Sequence, residues 1–451
     1  METKGVFTAG YGRVDITPDY SVPLAGWGNS ERRMSERVLD HIYAVCVAMT
    51  DADGQTLLMY QYDNVKVRDE IYGEVTKHFA EKHGIDAAYI HITATHSESS
   101  PDTYNEKVPV MKEYISFVVA SLIEAGEQAL ADRSPASLEY GTTRTRNLNF
   151  VKHVFLSTGV AIGDNHGSPR DGTVVRHTTK VDDLMLVLRL RREGKKDIAM
   201  VNWRAHDQMT SGQHKTDLSA DYVGAFRDAA EEKFGCLFAY YQGCCGNVNP
   251  YSYIRSEERT RDYREYGRFL TEHMNDIYDR LTPVPAGKIR AERLYLDADV
   301  DHSLDGLLEP ATVILNQWRE DNDNAAAIQR GRPYGIYSAY HAMAIVRRAG
   351  MPQKKQFDYS VWTVGRLGFA CCQYETFDTN GKFVRDNSPY DMTFVMGYTD
   401  HASGYLASAY AHEYGCYEVD NGIYAAGTGE RLASCMVEKL VDFYYENPKE
   451  E

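Results

Sequence analysis

Four short stretches of the sequence each carry a residue that can hold a metal or move a proton. Thr95-His96-Ser97-Glu98-Ser99-Ser100-Pro101-Asp102 closes a β-branched, aromatic run at residues 89–95. Asn202-Trp203-Arg204-Ala205-His206-Asp207 closes a second apolar run. Gln373-Tyr374-Glu375-Thr376-Phe377-Asp378 follows the run GFACC, and Asp400-His401-Ala402-Ser403-Gly404-Tyr405 follows a run at residues 393–398. Two imidazoles and a carboxylate are a common catalytic zinc set, with one position left for water or substrate. Zinc held in that way lowers the pKa of its water to about 7 and polarises a carbonyl under attack. A tyrosine beside it can ligate the metal or donate to the oxyanion that forms. A neighbouring carboxylate, Glu98 or Asp207, can serve as general acid or base. Spacing alone leaves the alternative open. No H-x-x-x-H pattern ties His96 to His206, and a lone histidine at a strand end is more often a hydrogen-bonded structural residue. His41, His78, His83, His153 and His214 are read in that structural class.

The elements that must position these residues alternate between strand and helix. Apolar runs at 57–62, 89–95, 184–190, 197–203, 237–241, 367–372 and 393–398 predict strands. Helical spacing predicts helices over 68–83 with Gly84 as C-cap, over 110–130, over 218–234 with Asp217 as N-cap, and over 429–445. This alternation favours an α/β architecture of mixed β-sheets flanked by helices. The chemistry then falls at the carboxyl ends of strands, where ligands of α/β sheets bind. Residues 301–356 contain a helical segment at 340–348 and read as either a subdomain or a lid. With no repeat and no low-complexity linker, residues 1–451 are read as one hydrolase domain.

Bulk properties bound the function. The chain has 451 residues, 43% hydrophobic and 25% charged, the composition of a soluble enzyme. Its net charge of −16 argues against nucleic acid or an anionic membrane surface as the main partner. No apolar window is long enough to insert in a membrane, and the N-terminus has no secretory h-region. The eight cysteines include the neighbours Cys244-Cys245 and Cys371-Cys372 but no C-x-x-C, which fits buried thiols in a reducing cytoplasm. Asp297-Ala298-Asp299-Val300-Asp301 fails as a calcium loop because the turn position that needs glycine is His302; its alternation reads as a strand. Gly10-Tyr11-Gly12 lacks the third glycine of a dinucleotide site. The 33 tyrosines outnumber the 15 phenylalanines and crowd the candidate stretches, which favours a hydrogen-bonding pocket. Tyr374 is the candidate wall residue among them. Arg204, beside His206, can pair with a substrate carboxylate or serve as a structural arginine.

Taken in order, these blocks resemble the neutral/alkaline, non-lysosomal ceramidase family. Gly10-Tyr11-Gly12-Arg13-Val14-Asp15-Ile16-Thr17-Pro18 and Pro23-Leu24-Ala25-Gly26-Trp27-Gly28 are similar to its opening signature. Thr95-His96-Ser97-Glu98-Ser99 falls where the family has Thr-His-Thr-His-Ser, and Val201 to His206 resembles the segment with its second zinc histidine. Gly246-Asn247-Val248-Asn249-Pro250 falls on its Gly-Asp-Val-Ser-Pro. Tyr374-Glu375-Thr376-Phe377 resembles the segment with the zinc glutamate. Ser403-Gly404-Tyr405, with Tyr410, Tyr414 and Tyr417, resembles the block with the zinc tyrosine.

The resemblance implies a ceramidase-like catalytic domain with His96, His206, Glu375 and Tyr405 as zinc ligands. It implies hydrolysis of an N-acyl bond by zinc-activated water; on chemical grounds Tyr405 would stabilise the oxyanion and Glu98 or Asp207 would move the proton. The departures are informative. Glu98 replaces a histidine, Asn247 and Asn249 replace the aspartate and serine, and the family's Asn-Arg-Ser arginine is missing near Asn149, with Arg146 or Lys152 as stand-ins. Nothing resembles the family's C-terminal β-sandwich. The metal set is kept while the substrate wall, to which Asn247 and Asn249 belong, is changed. The expected substrate is therefore a small, polar amide rather than ceramide. An esterase or lactonase, or a binding protein that keeps the fold, are the alternatives.

Overall fold

The computed structural model describes residues 5–26, 33–105, 107–163, 172–252, 254 and 261–446. Trp27 and Gly28 of the opening signature lie outside them. Two β-sheets face each other, and helices cover both outer faces. The larger sheet runs Leu237–Gln242, Ile198–Trp203, Leu184–Arg192, Ser134–Arg144, Thr8–Asp15, Tyr43–Thr50, Thr56–Tyr62, Ile90–Ala94, with Thr282–Val284 pairing on Ser134–Arg144. Its two outermost pairs are parallel and the rest antiparallel. The smaller sheet runs Ile289–Asp299, Lys354–Val364, Leu367–Cys372, Met392–Met396, the last pair parallel.

The strands are apolar on both faces because both faces are covered. In Thr56–Tyr62 every residue is buried. Leu57 and Met59 meet Trp362, Phe369 and Phe394 of the opposing sheet, while Leu58, Tyr60 and Tyr62 pack under the helices Asp69–His83 and Val110–Ala131. Such strands read as continuous hydrophobic runs, which is why the sequence exposes them. On the far side of the smaller sheet, Leu432, Met436 and Leu440 of the helix Thr428–Glu446 cover Phe357, Val361 and Ala370.

The Gly-Tyr-Gly rejected above as a nucleotide motif has a packing role. It lies inside the strand Thr8–Asp15, where a Cβ on Gly10 would stand 2.0 Å from the Ala129 carbonyl and one on Gly12 2.0 Å from that of Ala125. The helix Val110–Ala131 sits directly on the strand backbone. Gly12→Ala is expected to destabilise the protein by about 1–3 kcal/mol through forced separation of strand and helix. Gly73→Ala, on an exposed helical position with open space around it, is expected to stabilise by about 0.5–1 kcal/mol. Paired denaturant melts of the two variants check both signs.

Three expectations change. The predicted helix over 218–234 begins at Asp221. Asp217 is not its N-cap: Asp217–Leu218 pairs in parallel with Arg37–Val38, and the Asp217 carboxylate holds the Arg37 guanidinium at 2.8 Å. The strand expected over 89–95 starts at Ile90, after a 3₁₀ turn at Ala87–Tyr89. Residues 301–356 hold three helices, Leu308–Asp321, Asn324–Gly331 and Ala339–Ala349, with their own small core around Ile314, Leu315, Ile336 and Ile345. From residue 354 the chain re-enters the smaller sheet. All eight cysteines are free thiols, and seven are buried. Among the described residues no helix is long and apolar enough to cross a membrane.

Candidate functional site

The carboxyl ends of the parallel strand pairs from both sheets converge at one place. Single bridges Thr93 to Thr399 and Gly243 to Met396 stitch the two sheets together there. The Gln242 side chain, at the end of Leu237–Gln242, donates to the carbonyls of Thr95 and Ala205, both at 2.9 Å. One amide thus ties together the two chain segments that deliver His96 and His206. The sequence reading missed Gln242; its position at the last residue of an apolar strand was the available signal.

His96 and His206 stand with ring centroids 4.9 Å apart and planes at 84°. The Nδ1 of His96 lies 2.9 Å from the Val65 carbonyl, and that of His206 lies 3.1 Å from the Val248 carbonyl. A carbonyl only accepts, so both Nδ1 atoms must carry the hydrogen. In the neutral ring Nε2 is then a bare lone pair. Both Nε2 atoms lie 3.5 Å from the same Glu375 oxygen, Oε2. Burial pushes His96 down to about 3, against the pull of the Glu375 charge. Burial alone would raise Glu375, but the histidines and the nearby Lys66 charge hold it below the ordinary carboxylate range. Lone pairs and a carboxylate therefore meet with their ligand atoms all within 4.8 Å. That is a donor set a cation completes, and the backbone carbonyls behind each ring orient it. The residues present fit a zinc-type site of two histidines and one carboxylate.

Backbone conformation is bent to make this possible. His96 has φ 68 and Tyr398 φ 55, a region that costs a non-glycine residue roughly 1–3 kcal/mol. Tyr398 packs its ring 4.2 Å from that of His96, and its hydroxyl lies 3.5 Å from Glu375 Oε2 and 3.1 Å from Cys245 Sγ. It buttresses two members of the triad at once.

His96 and Glu375 line a cavity of about 370 Å³, with His206 behind them, and its wall includes Glu98, Asp102, Tyr104, Lys66, Tyr405, Tyr417 and Arg347. Tyr405 is delivered by a two-residue parallel bridge in which it pairs with Glu375 itself. Burial and the carboxylates of Glu375 and Glu418 raise its hydroxyl well above the ordinary phenol range, so it keeps its proton. Lys152 lies 5.3 Å over the Tyr405 ring and pairs with Glu418 at 2.7 Å. His153, read as structural, holds the same Glu418 at 2.6 Å. Glu98 is buried, and burial together with the Glu375 charge pushes it up to about 8. The loop residue Gly26, at φ +96, crosses it so closely that a Cβ would stand 2.5 Å from the Glu98 Cβ.

The structure does not bring every candidate to the cavity. Arg204 is buried in an ion pair with Asp182, which Arg385 also holds at 2.6 Å; the guanidinium is spent inside the protein. Asn247 exchanges two hydrogen bonds with Asp378, at 2.8 and 2.9 Å. Asn249 accepts from the Gln208 amide at 2.9 Å. The Tyr374 hydroxyl meets that of Tyr424 at 3.0 Å. These four, expected on the substrate wall, do not line the cavity; each is buried with a partner of its own. Asp207 is fully buried and raised well above the carboxylate range by burial and by the charge of Asp221. It too lies off the cavity, whose wall carries the carboxyl groups of Glu98, Asp102 and Glu375. His401 pairs with Asp69 at 3.0 Å and Asp358 at 3.5 Å, apart from the triad. Lys66 and Arg347, wall residues that sequence reasoning did not name, come from segments with no motif around them, whereas Tyr417 belongs to the tyrosine-rich block already singled out.

A family model described as neutral/alkaline non-lysosomal ceramidase, N-terminal, matches residues 7–237. That span contains His96 and His206, while Glu375 and Tyr405 lie beyond it. The structure is similar to that of a neutral ceramidase from Pseudomonas aeruginosa, with a TM-score of 0.72 at 15% identity, covering 99% of this chain and 75% of that one. It is equally similar to a ceramidase complexed with C2, with a TM-score of 0.72 at 14% identity, covering 99% of this chain and 76% of that one. At such identities the likeness is one of fold. No curated protein matches the chain in sequence.

Proposed function

The chain belongs to the neutral/alkaline, non-lysosomal ceramidase family, and from that premise we propose that it is a zinc-dependent hydrolase cleaving an amide bond of a small, polar substrate. The observation that carries the reading is the convergence of two oriented imidazole lone pairs and the Glu375 carboxylate on one point, beside a cavity that His96 and Glu375 line. His96, His206 and Glu375 would hold the metal, with Tyr405 as a fourth ligand or as a donor beside it. When bound, zinc supplies Lewis acidity toward the substrate carbonyl and an acidified water.

The protein's own groups do the rest. The protonated Tyr405 hydroxyl donates a hydrogen bond to the carbonyl oxygen as negative charge grows there. In its ionised form Glu98 takes a proton from the attacking water and then delivers it to the leaving nitrogen, which an amine needs in order to depart. The wall carries the hydroxyls of Tyr104, Tyr405 and Tyr417, and Val65 is the only described lining residue with a branched aliphatic side chain. A cavity of this size and polarity suits a compact hydrogen-bonding ligand better than paired long hydrocarbon chains, and ceramide is therefore not the proposed substrate. The free, buried thiols suit a reducing compartment such as the cytoplasm.

A panel of short N-acyl amides and matched O-acyl esters, assayed with zinc-loaded protein, tests the reaction class. Turnover of amides is expected. Turnover of esters alone would make the protein an esterase, and turnover of neither by metal-loaded protein would favour a binding role.

A further inference from the structure

Two cations stand on the cavity wall, and neither makes a direct ion pair with a described carboxylate, although the Lys66 charge is felt by Glu375. Lys66 follows Val65, whose carbonyl orients His96. Arg347 projects from the last helix of the three-helix unit, Ala339–Ala349. Its one hydrogen bond among the described residues is from Nη2 to the Asn421 carbonyl, at 2.8 Å. Neither side chain pairs with a carboxylate among the described residues. The contrast with Arg348 is direct: one position on, that guanidinium turns away and holds Asp301 at 3.0 Å. Nor is acid scarce, since the chain carries 65 acidic residues against 49 lysines and arginines. Three acids, Glu98, Asp102 and Glu375, share the cavity wall with these cations, and none is within ion-pair distance of them.

Resting on the amidase reading, we propose that the cavity takes an anionic N-acyl compound, whose carboxylate or equivalent oxyanion docks on Arg347 and Lys66 while its amide lies at the His96–His206–Glu375 end. A guanidinium offers a planar fork of N–H donors that matches a carboxylate, and a lysine adds a point charge beside it. The fork of Arg347 is only partly used by the Asn421 carbonyl. The same geometry makes the three-helix unit a specificity element, because it contributes the arginine without contributing a metal ligand.

Three probes of near-equal size separate the possibilities: N-acetyl-β-alanine carries a carboxylate, N-acetyltaurine a sulfonate, and N-acetyl-β-alaninamide no charge. Binding to zinc-loaded full-length protein is measured by calorimetry and hydrolysis by amine release. The carboxylate is expected to be favoured over the amide by about 10- to 100-fold, the span of one or two charge-assisted hydrogen bonds. Preference for the sulfonate over the carboxylate would keep the anion site and change the ligand. In Arg347→Ala the anion-to-neutral ratio is expected to collapse toward one, and in Arg347→Lys to be partly retained; Lys66→Met gives a smaller loss. The proposal is overturned if neutral and anionic probes bind alike, if none binds, or if Arg347→Ala weakens all of them equally. Anion-selective binding without any hydrolysis would instead sink the amidase reading and leave the anion site standing.

Discussion

In His206→Ala, turnover on any accepted substrate should fall roughly 10³-fold or more, taking the several kcal/mol that a Lewis acid contributes to such a reaction. The physical reason is the donor set. With the Val248 carbonyl fixing Nδ1–H, Nε2 of His206 is, among the described residues, one of two imidazole lone pairs aimed at Glu375. Removing it leaves one imidazole and one carboxylate, too few to hold a catalytic zinc with an open position. The variant should therefore lose metal as well as activity. Chelation of the wild type should reproduce the loss, and added zinc should restore the wild type but not the variant. His401→Ala is the control. It stands in the fourth strand-end cluster, yet it pairs with Asp69 and Asp358 instead of facing the cavity, so activity and metal content should stay near wild type. Equal loss in both variants would point to general damage rather than to a metal site.

Glu98→Gln should lower kcat by about 10²–10⁴, the usual contribution of a positioned acid–base group, while metal content stays unchanged. The side chain is buried at the cavity, and its carboxylate makes no hydrogen bond to a described residue. It is thus free to exchange a proton, whereas Asp207 is enclosed beside Asp221. Glutamine keeps the volume under the tightly apposed Gly26 and removes only the titratable group. Wild-type kcat in Glu98→Gln with normal zinc would remove Glu98 from the mechanism and reopen the identity of the proton carrier.

The fold was legible where burial on both faces wrote itself into composition. Residues 57–62, apolar but for Gln61, and 367–372 are buried throughout and lie in interior strands of the two opposed sheets. Strands with an exposed face were harder to see. Ser134–Arg144 buries only Leu138 and Glu139 and includes polar residues at both ends, so it carries no apolar run. Helix 218–234 was placed too early because Asp217 has the right chemistry for an N-cap but is engaged with Arg37. That choice depends on a contact 180 residues away in sequence, which local reading does not contain.

The site shows the same division. His96, His206 and Glu375 were identified as strand-end residues and do converge. Their second layer was invisible: Gln242, Tyr398 and the carbonyls of Val65 and Val248 act through geometry, not residue type. Arg204 illustrates the opposite error. An arginine beside a metal histidine invites a substrate role, but this one turns inward to Asp182, and the arginine that does line the cavity, Arg347, comes from a helix and stands 143 residues downstream with no motif to mark it.

The central claim is that His96, His206 and Glu375 together hold a catalytic metal. Metal content measured by plasma mass spectrometry on purified wild type and His96→Ala, each incubated with zinc and desalted, tests it most directly. The account predicts about one zinc per wild-type chain and little in the variant. A wild type that retains no metal, or a variant that retains as much as the wild type, would contradict it.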